Sequence, residues 1–180
     1  FRIVSDFIQN LLLINLVILV FLPNNKEMKV ALIIGVFTMF FDLFLEAIAV
    51  QLDWWYPKGE HLILEVPIEM VVSFMIIGTS MGIIFYFPEK MRDMNFKPLN
   101  WVKILVKNPK YDYIWRIALL FVNAIIGMNG DYSAGEAIWE AGENWLPIYT
   151  FFVWFGGGLI TLVLYRYLNA KLNPRSLNGN

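Results

Sequence analysis

Apolar residues fill five stretches of the sequence, each close to the length that a helix needs to cross a lipid bilayer. A helix rises about 1.5 Å per residue, so roughly 20 apolar residues span ~30 Å of hydrocarbon. The stretches lie near 7–23, 29–52, 66–88, 112–130 and 146–168. No soluble domain fits between them. The pattern predicts an all-α fold: a polytopic membrane bundle of five helices, forming a single transmembrane domain over residues 1–180.

Residues that break helices separate these stretches. Pro23, Pro88 and Gly130 each end a predicted span, and the run Pro57–Gly59 falls between the second and third spans. The first span is the least regular, because four polar residues interrupt it: Asp6, Gln9, Asn10 and Asn15. Since the chain begins at Phe1 and not at methionine, we expect further sequence upstream of this span.

Composition supports a membrane protein and excludes several other classes. The chain is 58% hydrophobic and 16% charged, with a mean hydropathy of +0.58, which is too apolar for an ordinary water-soluble domain. A net charge of −1 provides no basic surface, so nucleic acid is not an expected partner. The absence of cysteine excludes disulfides, thiolate nucleophiles and zinc–thiolate sites. Membrane lipid is the partner that the composition predicts.

Positive charge is distributed unevenly between the two sides of the predicted bundle. If the spans alternate in direction, one side carries Lys26, Lys29, Lys90, Arg92, Lys97, Lys103, Lys107, Lys110, Arg116, Arg166, Lys171 and Arg175, and the other only Arg2 and Lys58. The positive-inside rule then predicts a cytoplasmic C-terminus, in a cell (plasma) membrane. In the cytoplasmic connection, lysines share one face of an amphipathic stretch over 99–110, which predicts a helix in the membrane surface that serves as an anchor or docks a partner.

Two carboxylates fall inside the second predicted span. Asp42 lies about 20 Å along it, near the middle of the bilayer, and Glu46 follows one helical turn later on the same face. An ionised carboxylate at that depth costs about 3 kcal/mol, and such residues usually face a bundle interior and mark proton, ion or substrate paths. The alternative is that both are protonated, or hydrogen-bonded to Asn15, Asn123 or Thr38, and only hold helices together.

A second group of candidates surrounds the start of the third span. Pro67 suits the first turn of a helix, and Glu69 then falls where the helix dipole favours a carboxylate. Glu65 precedes the helix, and with Asp42, Glu46 and Asp53 it would form an acidic cluster. The connecting loop adds Trp54, Trp55, Tyr56 and the single histidine, His61. The three aromatic residues fit either an interfacial belt or, together with Asn123, a substrate-binding surface.

The motifs that the sequence lacks narrow its chemistry. There is no glycine-rich phosphate loop, zincin helix or nucleophile elbow, and one histidine cannot form the histidine boxes of di-iron membrane enzymes. We therefore expect neither a metal site nor a cofactor. Proton chemistry remains, because a buried carboxyl group can act as a general acid while a neighbouring carboxylate stays ionised. Aromatic faces nearby stabilise a passing cation.

A family resemblance agrees with this chemistry. The pattern Phe41-Asp42-x-x-x-Glu46-x-x-Ala49, followed by Trp54-Trp55-Tyr56, Gly59 and Val66-Pro67-x-Glu69, resembles membrane-embedded carotenoid-modifying families. These are the small lycopene cyclase domains, with their Pro-x-Glu-Glu motif, and the related carotenoid hydratases. The second glutamate of that motif is Met70 here. The resemblance covers about 30 residues and implies an isoprenoid substrate and acid catalysis, with Asp42, Glu46 and Glu69 at the matching positions.

The candidate functions belong to three classes. The first is an intramembrane isoprenoid cyclase or hydratase, with Asp42, Glu46, Glu65 and Glu69 as catalytic candidates. The second is a proton- or sodium-translocating protein, in which Gly156-Gly157-Gly158 is a flexible or unwound point of the fifth span; close helix packing is the other explanation of these glycines. The third is an accessory subunit of a membrane complex, whose partner is that complex or a second copy of the chain.

Overall fold

The computed structural model describes residue 12 and residues 14–58, 62–88 and 109–172, without the side chains of 69, 109–112 and 130–139. Within these ranges the chain forms five helices, α1 to α5: 14–21, Asn25–Gln51, Ile68–Ile84, Pro109–Ile138 and Pro147–Leu172. Each overlaps one predicted apolar stretch, which confirms a mainly helical fold. Helices α2 and α5 are long and apolar enough to cross a membrane, whereas Met70–Ile84 and Tyr113–Asn129 are apolar but shorter.

Helix α2 begins four residues earlier than its apolar stretch predicts, because a capping box starts it. The Asn24 side chain accepts hydrogen bonds from the backbone N–H groups of Lys26 and Glu27, both at 3.0 Å. The Glu27 carboxylate accepts one from the Asn24 N–H at 2.9 Å. These bonds satisfy backbone donors that the first turn of a helix leaves without partners.

Helix α4 contradicts the predicted break at Gly130. The helix runs without interruption from Pro109 to Ile138, over 30 residues. A single glycine costs a helix only about 1 kcal/mol, and the alanine and glutamate residues that follow favour its continuation. Residues 131–138 therefore extend α4 by about two turns beyond the predicted span.

Two short antiparallel strand pairs join the helices at one end, a feature that the all-α prediction missed. Strand β1 (Trp55–Pro57) pairs with β4 (Trp139–Ala141), and β2 (Leu62–Ile63) pairs with β3 (Val66–Pro67). The first pair ties the α2–α3 connection to the α4–α5 connection, so we call it the β-ribbon. An exposed ion pair of 3.7 Å between Lys58 and Glu140 lies beside it.

Contacts at both ends show that consecutive helices from α2 to α5 run in opposite directions. At the β-ribbon end, the Gly142 N–H donates to the Trp54 carbonyl at 2.8 Å. At the other end, Tyr86, just after α3, donates its hydroxyl to Asn169 near the end of α5 at 3.1 Å. The basic residues Lys26, Arg166 and Lys171 consequently lie toward the same end of the bundle, as the alternation of spans requires.

Small residues bring α2 and α3 into close contact. A Cβ atom at Gly35 would collide with the Thr79 hydroxyl and lie 2.7 Å from the Met75 carbonyl oxygen. A Cβ at Gly82 would lie 2.8 Å from the Ala31 Cα. Glycine at these positions lets the two backbones approach as closely as in small-xxx-small helix pairs. We call this contact the α2–α3 seam.

Two predicted features lie outside the described residues. The amphipathic surface helix over 99–110 falls mostly within 89–108, and the loop histidine, His61, falls within 59–61.

Candidate functional site

Helices α2 to α5 enclose a small cavity in the half of the bundle nearer the β-ribbon. Its volume is about 20 Å³, which is room for roughly one water molecule. The residues that line it are Thr38, Asp42, Leu45, Glu46, Phe74, Ile77, Met81, Asn123, Val153, Trp154, Gly157, Gly158 and Thr161. Five of these residues are polar (Thr38, Asp42, Glu46, Asn123 and Thr161), and the rest of the lining is mainly apolar.

Asp42 and Glu46 both line this cavity, so the structure brings together the two carboxylates of the second predicted span. They follow each other at a spacing of four residues, which places them on one face of α2. Glu46 is buried, with 6% of its surface exposed, and Asp42 is half-buried. Because α2 begins at Asn25, Asp42 lies about 26 Å from the start of the helix and about 14 Å from its end, nearer the β-ribbon than predicted.

Asn123 of α4 lies at the same cavity, opposite α2. The position that a Cβ of Gly158 would occupy is 3.7 Å from the Asn123 amide nitrogen, and the Cβ position of Gly157 is 3.6 Å from Asp42 Oδ1. Adjacent glycines of α5 thus border both polar side chains. Helix α5 is continuous from Pro147 to Leu172, so the chain is not unwound at these glycines; a flexible point there stays a prediction. Close packing holds at Gly158, whose Cβ position is 3.0 Å from Leu120.

Of the aromatic candidates, Trp55 and Tyr56 belong to strand β1 of the β-ribbon, and Trp54 directly precedes it. Trp55 is buried in an apolar cluster that includes Val66, Val71 and Phe74. Phe74 also lines the cavity, so it connects that cluster to the carboxylates. Trp54 stacks on Tyr149 with ring centroids 5.0 Å apart. Neither tryptophan lines the cavity itself.

Tyr56 lies further out, on the surface of the β-ribbon. Its hydroxyl donates a hydrogen bond to Asp53 Oδ1 at 3.3 Å. Partial desolvation, followed by the negative charges of Asp53 and Glu143, raises the pKa of the Tyr56 hydroxyl above its ordinary value of 10.0. The Tyr56 hydroxyl is therefore a neutral hydrogen-bond donor beside these carboxylates, at a polar surface.

The structure places Glu65 apart from Asp42 and Glu46. Leu64 and Glu65 form the turn between β2 and β3, and both have positive φ angles, 50° and 66°. Glu65 is exposed, and its carboxylate accepts a hydrogen bond of 3.0 Å from Gln51. A catalytic role for Glu65 stays a prediction.

Glu69 falls in the first turn of α3, which begins at Ile68 with Pro67 as its N-cap, one residue later than expected. The side chain of Glu69 lies outside the described part of the chain. Among the described residues, no three His, Cys, Asp or Glu side chains form a group that could hold a metal ion. The predicted acidic cluster of Asp42, Glu46, Asp53 and Glu65 therefore does not form a group that could hold a metal ion.

Arg116, which the charge count places on the cytoplasmic side of the predicted bundle, is a buried residue. Only 3% of its surface is exposed. Its guanidinium donates to the Phe85 carbonyl at 2.8 Å and lies 4.9 Å from the centre of the Tyr165 ring. Because Phe85 caps the C-terminus of α3, Arg116 satisfies a carbonyl that the helix leaves without a partner. This contact lies at the end of the bundle opposite the β-ribbon.

The α5 side of the cavity was not identified from the sequence. Trp154, Gly157 and Thr161 line it, and each lies one helical turn from the next or nearly so. The glycine run was the only sequence signal at this position, and it does not distinguish an open space from a packed contact.

No family model matches the chain, and neither does any curated protein or solved structure.

Proposed function

We propose that this protein is an intramembrane enzyme that modifies an isoprenoid of the carotenoid type, as a cyclase or hydratase, with Asp42 and Glu46 supplying acid catalysis. The observation that carries the proposal is that both carboxylates line one cavity whose remaining wall is mostly apolar. Protonating a carbon–carbon double bond needs an acid that is kept from bulk water, because bulk water competes for the proton and, in a cyclase, would trap the cation before the ring closes. No cofactor is required for such a step.

The proposal includes a membrane location for the whole bundle. Helices α2 and α5 are long and apolar enough to cross a bilayer. Large apolar side chains such as Phe40, Phe44, Phe152 and Val163 are about 60% exposed on these two helices, which suits contact with lipid. We assign the basic end to the cytoplasm, according to the positive-inside rule.

The cavity limits where the substrate lies. Its volume of about 20 Å³ is far below the several hundred Å³ of typical ligand pockets, so an isoprenoid chain does not fit inside it. We place the chain in the lipid beside α5, with only the reacting double bond at the cavity. Gly156 supports this arrangement, because nothing lies within 4 Å of its Cβ position. Phe74 and Trp154, which line the cavity, would face a cationic intermediate.

Turnover by the purified protein in lipid tests the function. Incubation with lycopene, or with a shorter polyprenoid, should yield an isomeric or hydrated product. The double variant Asp42→Asn, Glu46→Gln should lower the rate by about 10²- to 10⁴-fold, since a positioned general acid contributes that much. Glu143→Gln removes an exposed carboxylate and should leave the rate unchanged. A product formed equally fast by the double variant would refute the proposal.

A second candidate function is a structural subunit of a membrane complex, and the small cavity favours it. In that case Asp42 and Glu46 would hold helices together, and their substitution would lower stability without any activity to lose. Purification from native membrane distinguishes the enzyme from the structural subunit. A stable protein that turns over substrate alone supports the enzyme, whereas constant co-purification with other subunits, without turnover, supports the complex. Proton or sodium flux through liposomes that Asp42→Asn abolishes would instead indicate ion translocation.

A further inference from the structure

Thr38 differs from the other buried hydroxyl-bearing residues of the described helices. Thr79, Ser80 and Thr161 each donate to the carbonyl oxygen four residues earlier, at 2.8 to 2.9 Å. The Thr38 side chain is 6% exposed, yet its Oγ1 has no hydrogen-bond partner within the part of the chain that the structure describes. Buried polar groups almost always have a partner, because leaving one unsatisfied costs about 1–3 kcal/mol.

The position of Thr38 indicates what its partner is. Thr38 lines the cavity one helical turn before Asp42, and Asn123 lines it from α4. The cavity, at about 20 Å³, holds roughly one water molecule, and a buried water typically makes about three hydrogen bonds. A hydroxyl, a carboxyl group and an amide provide both donors and acceptors, as such a water needs.

We propose that the cavity is a binding site for one ordered water molecule, held by Thr38 Oγ1 and shared with Asp42 and Asn123. An uncharged occupant adds no further charge to a site that already contains two carboxyl groups. The role of this water rests on the proposed function: between catalytic cycles it passes a proton from solvent to Asp42, which replaces the proton that Asp42 has given to the substrate. Thr38 is then a positioning residue that acts on Asp42 through the water.

The water itself is tested without reference to activity. A structure of the full-length protein in lipid nanodiscs, at a resolution where other buried waters are visible, should contain a density peak within hydrogen-bonding distance of Thr38 Oγ1. The peak should be absent from Thr38→Val, which keeps the shape of the side chain but removes the hydroxyl. The absence of a wild-type peak would overturn the proposal. So would a peak that appears only when sodium is present.

Activity then tests the role of the water. Thr38→Val should lower turnover by up to about tenfold, the effect of losing one hydrogen bond between neutral groups, and should shift the pH at which the rate is half-maximal. Thr38→Ser keeps the hydroxyl and should restore both the rate and the pH profile. Thr79→Val is the matched control, because the Thr79 hydroxyl binds its own helix and does not line the cavity.

The outcomes separate this inference from the proposed function. A water peak in a protein that does not act on isoprenoids would support the site and refute the function. If Thr38→Val lowered the rate no more than Thr79→Val, with an unchanged pH profile, the proton-carrying role would be refuted while the enzyme assignment remained.

Discussion

The glycines of the α2–α3 seam and two of the three adjacent glycines of α5, Gly156 and Gly157, have opposite surroundings. At Gly35, a methyl group would meet the neighbouring helix, including its backbone at 2.7 Å. At Gly156 it would meet nothing within 4 Å, and at Gly157 only ordinary contacts, the nearest being Asp42 Oδ1 at 3.6 Å. The seam uses glycine to bring backbones together, whereas α5 uses it to leave space beside a carboxylate. Because no helix fills the space at Gly156 and Gly157, a substrate could approach Asp42 from this side of α5.

The largest effect on stability is expected at the seam. Gly35→Ala should destabilise the protein by about 1–3 kcal/mol, because the methyl group forces α2 and α3 apart, even though alanine favours a helix by about 1 kcal/mol. Thermal unfolding in detergent measures the change. Gly156→Ala is the matched control and should keep or raise the unfolding temperature. Equal losses in both variants would remove the distinction between the two groups of glycines.

The next effect is expected at the cavity, on activity alone. Gly157→Ala should fold as stably as the wild type, since its contacts are ordinary, but its methyl group would occupy the space next to Asp42. We expect turnover of the isoprenoid substrate to fall roughly tenfold to a hundredfold, because small displacements at a reacting centre have effects of that size. Glu143→Gln, which removes an exposed carboxylate that does not line the cavity, serves as the control for activity. If both variants retained the full rate, the space beside Asp42 would have no part in catalysis.

The smallest effect is expected at the β-ribbon, which joins the α2–α3 connection to the α4–α5 connection. Lys58→Met removes an exposed ion pair of 3.7 Å with Glu140, and such pairs contribute no more than about 1 kcal/mol. The unfolding temperature should therefore change little, and raising the salt concentration should reduce any difference further. A loss as large as that of Gly35→Ala would mean that the ribbon, and not the seam, holds the bundle together.

Local patterns in the sequence predicted the helices, because the length of an apolar stretch is a local property. They also predicted that Asp42 and Glu46 share a face, since a spacing of four residues fixes this within α2. Such local patterns could not predict contacts between segments that are distant in the sequence. The β-ribbon pairs strands that precede α3 and follow α4, and Gly157 reaches Asp42 from the last helix.

Arg116 shows the same limit in another way. Counting charges by segment placed it on the cytoplasmic side, and it does lie toward the basic end of the bundle. Its burial depends on the Phe85 carbonyl and the Tyr165 ring, which belong to two other parts of the chain. Glu65, in contrast, lay close enough in the sequence to suggest a cluster with Asp42, yet it is exposed in a turn with positive φ angles and does not line the cavity.

The transfer of a proton from the protein to a carbon atom of the substrate is the central claim, and isotope incorporation measures it most directly. The purified protein is incubated with lycopene in D₂O, and the product is analysed by mass spectrometry. The account predicts one solvent-derived deuterium bound to carbon in each product molecule, and no product from the Asp42→Asn, Glu46→Gln variant. A product without carbon-bound deuterium, or the same labelled product from that variant, would contradict it.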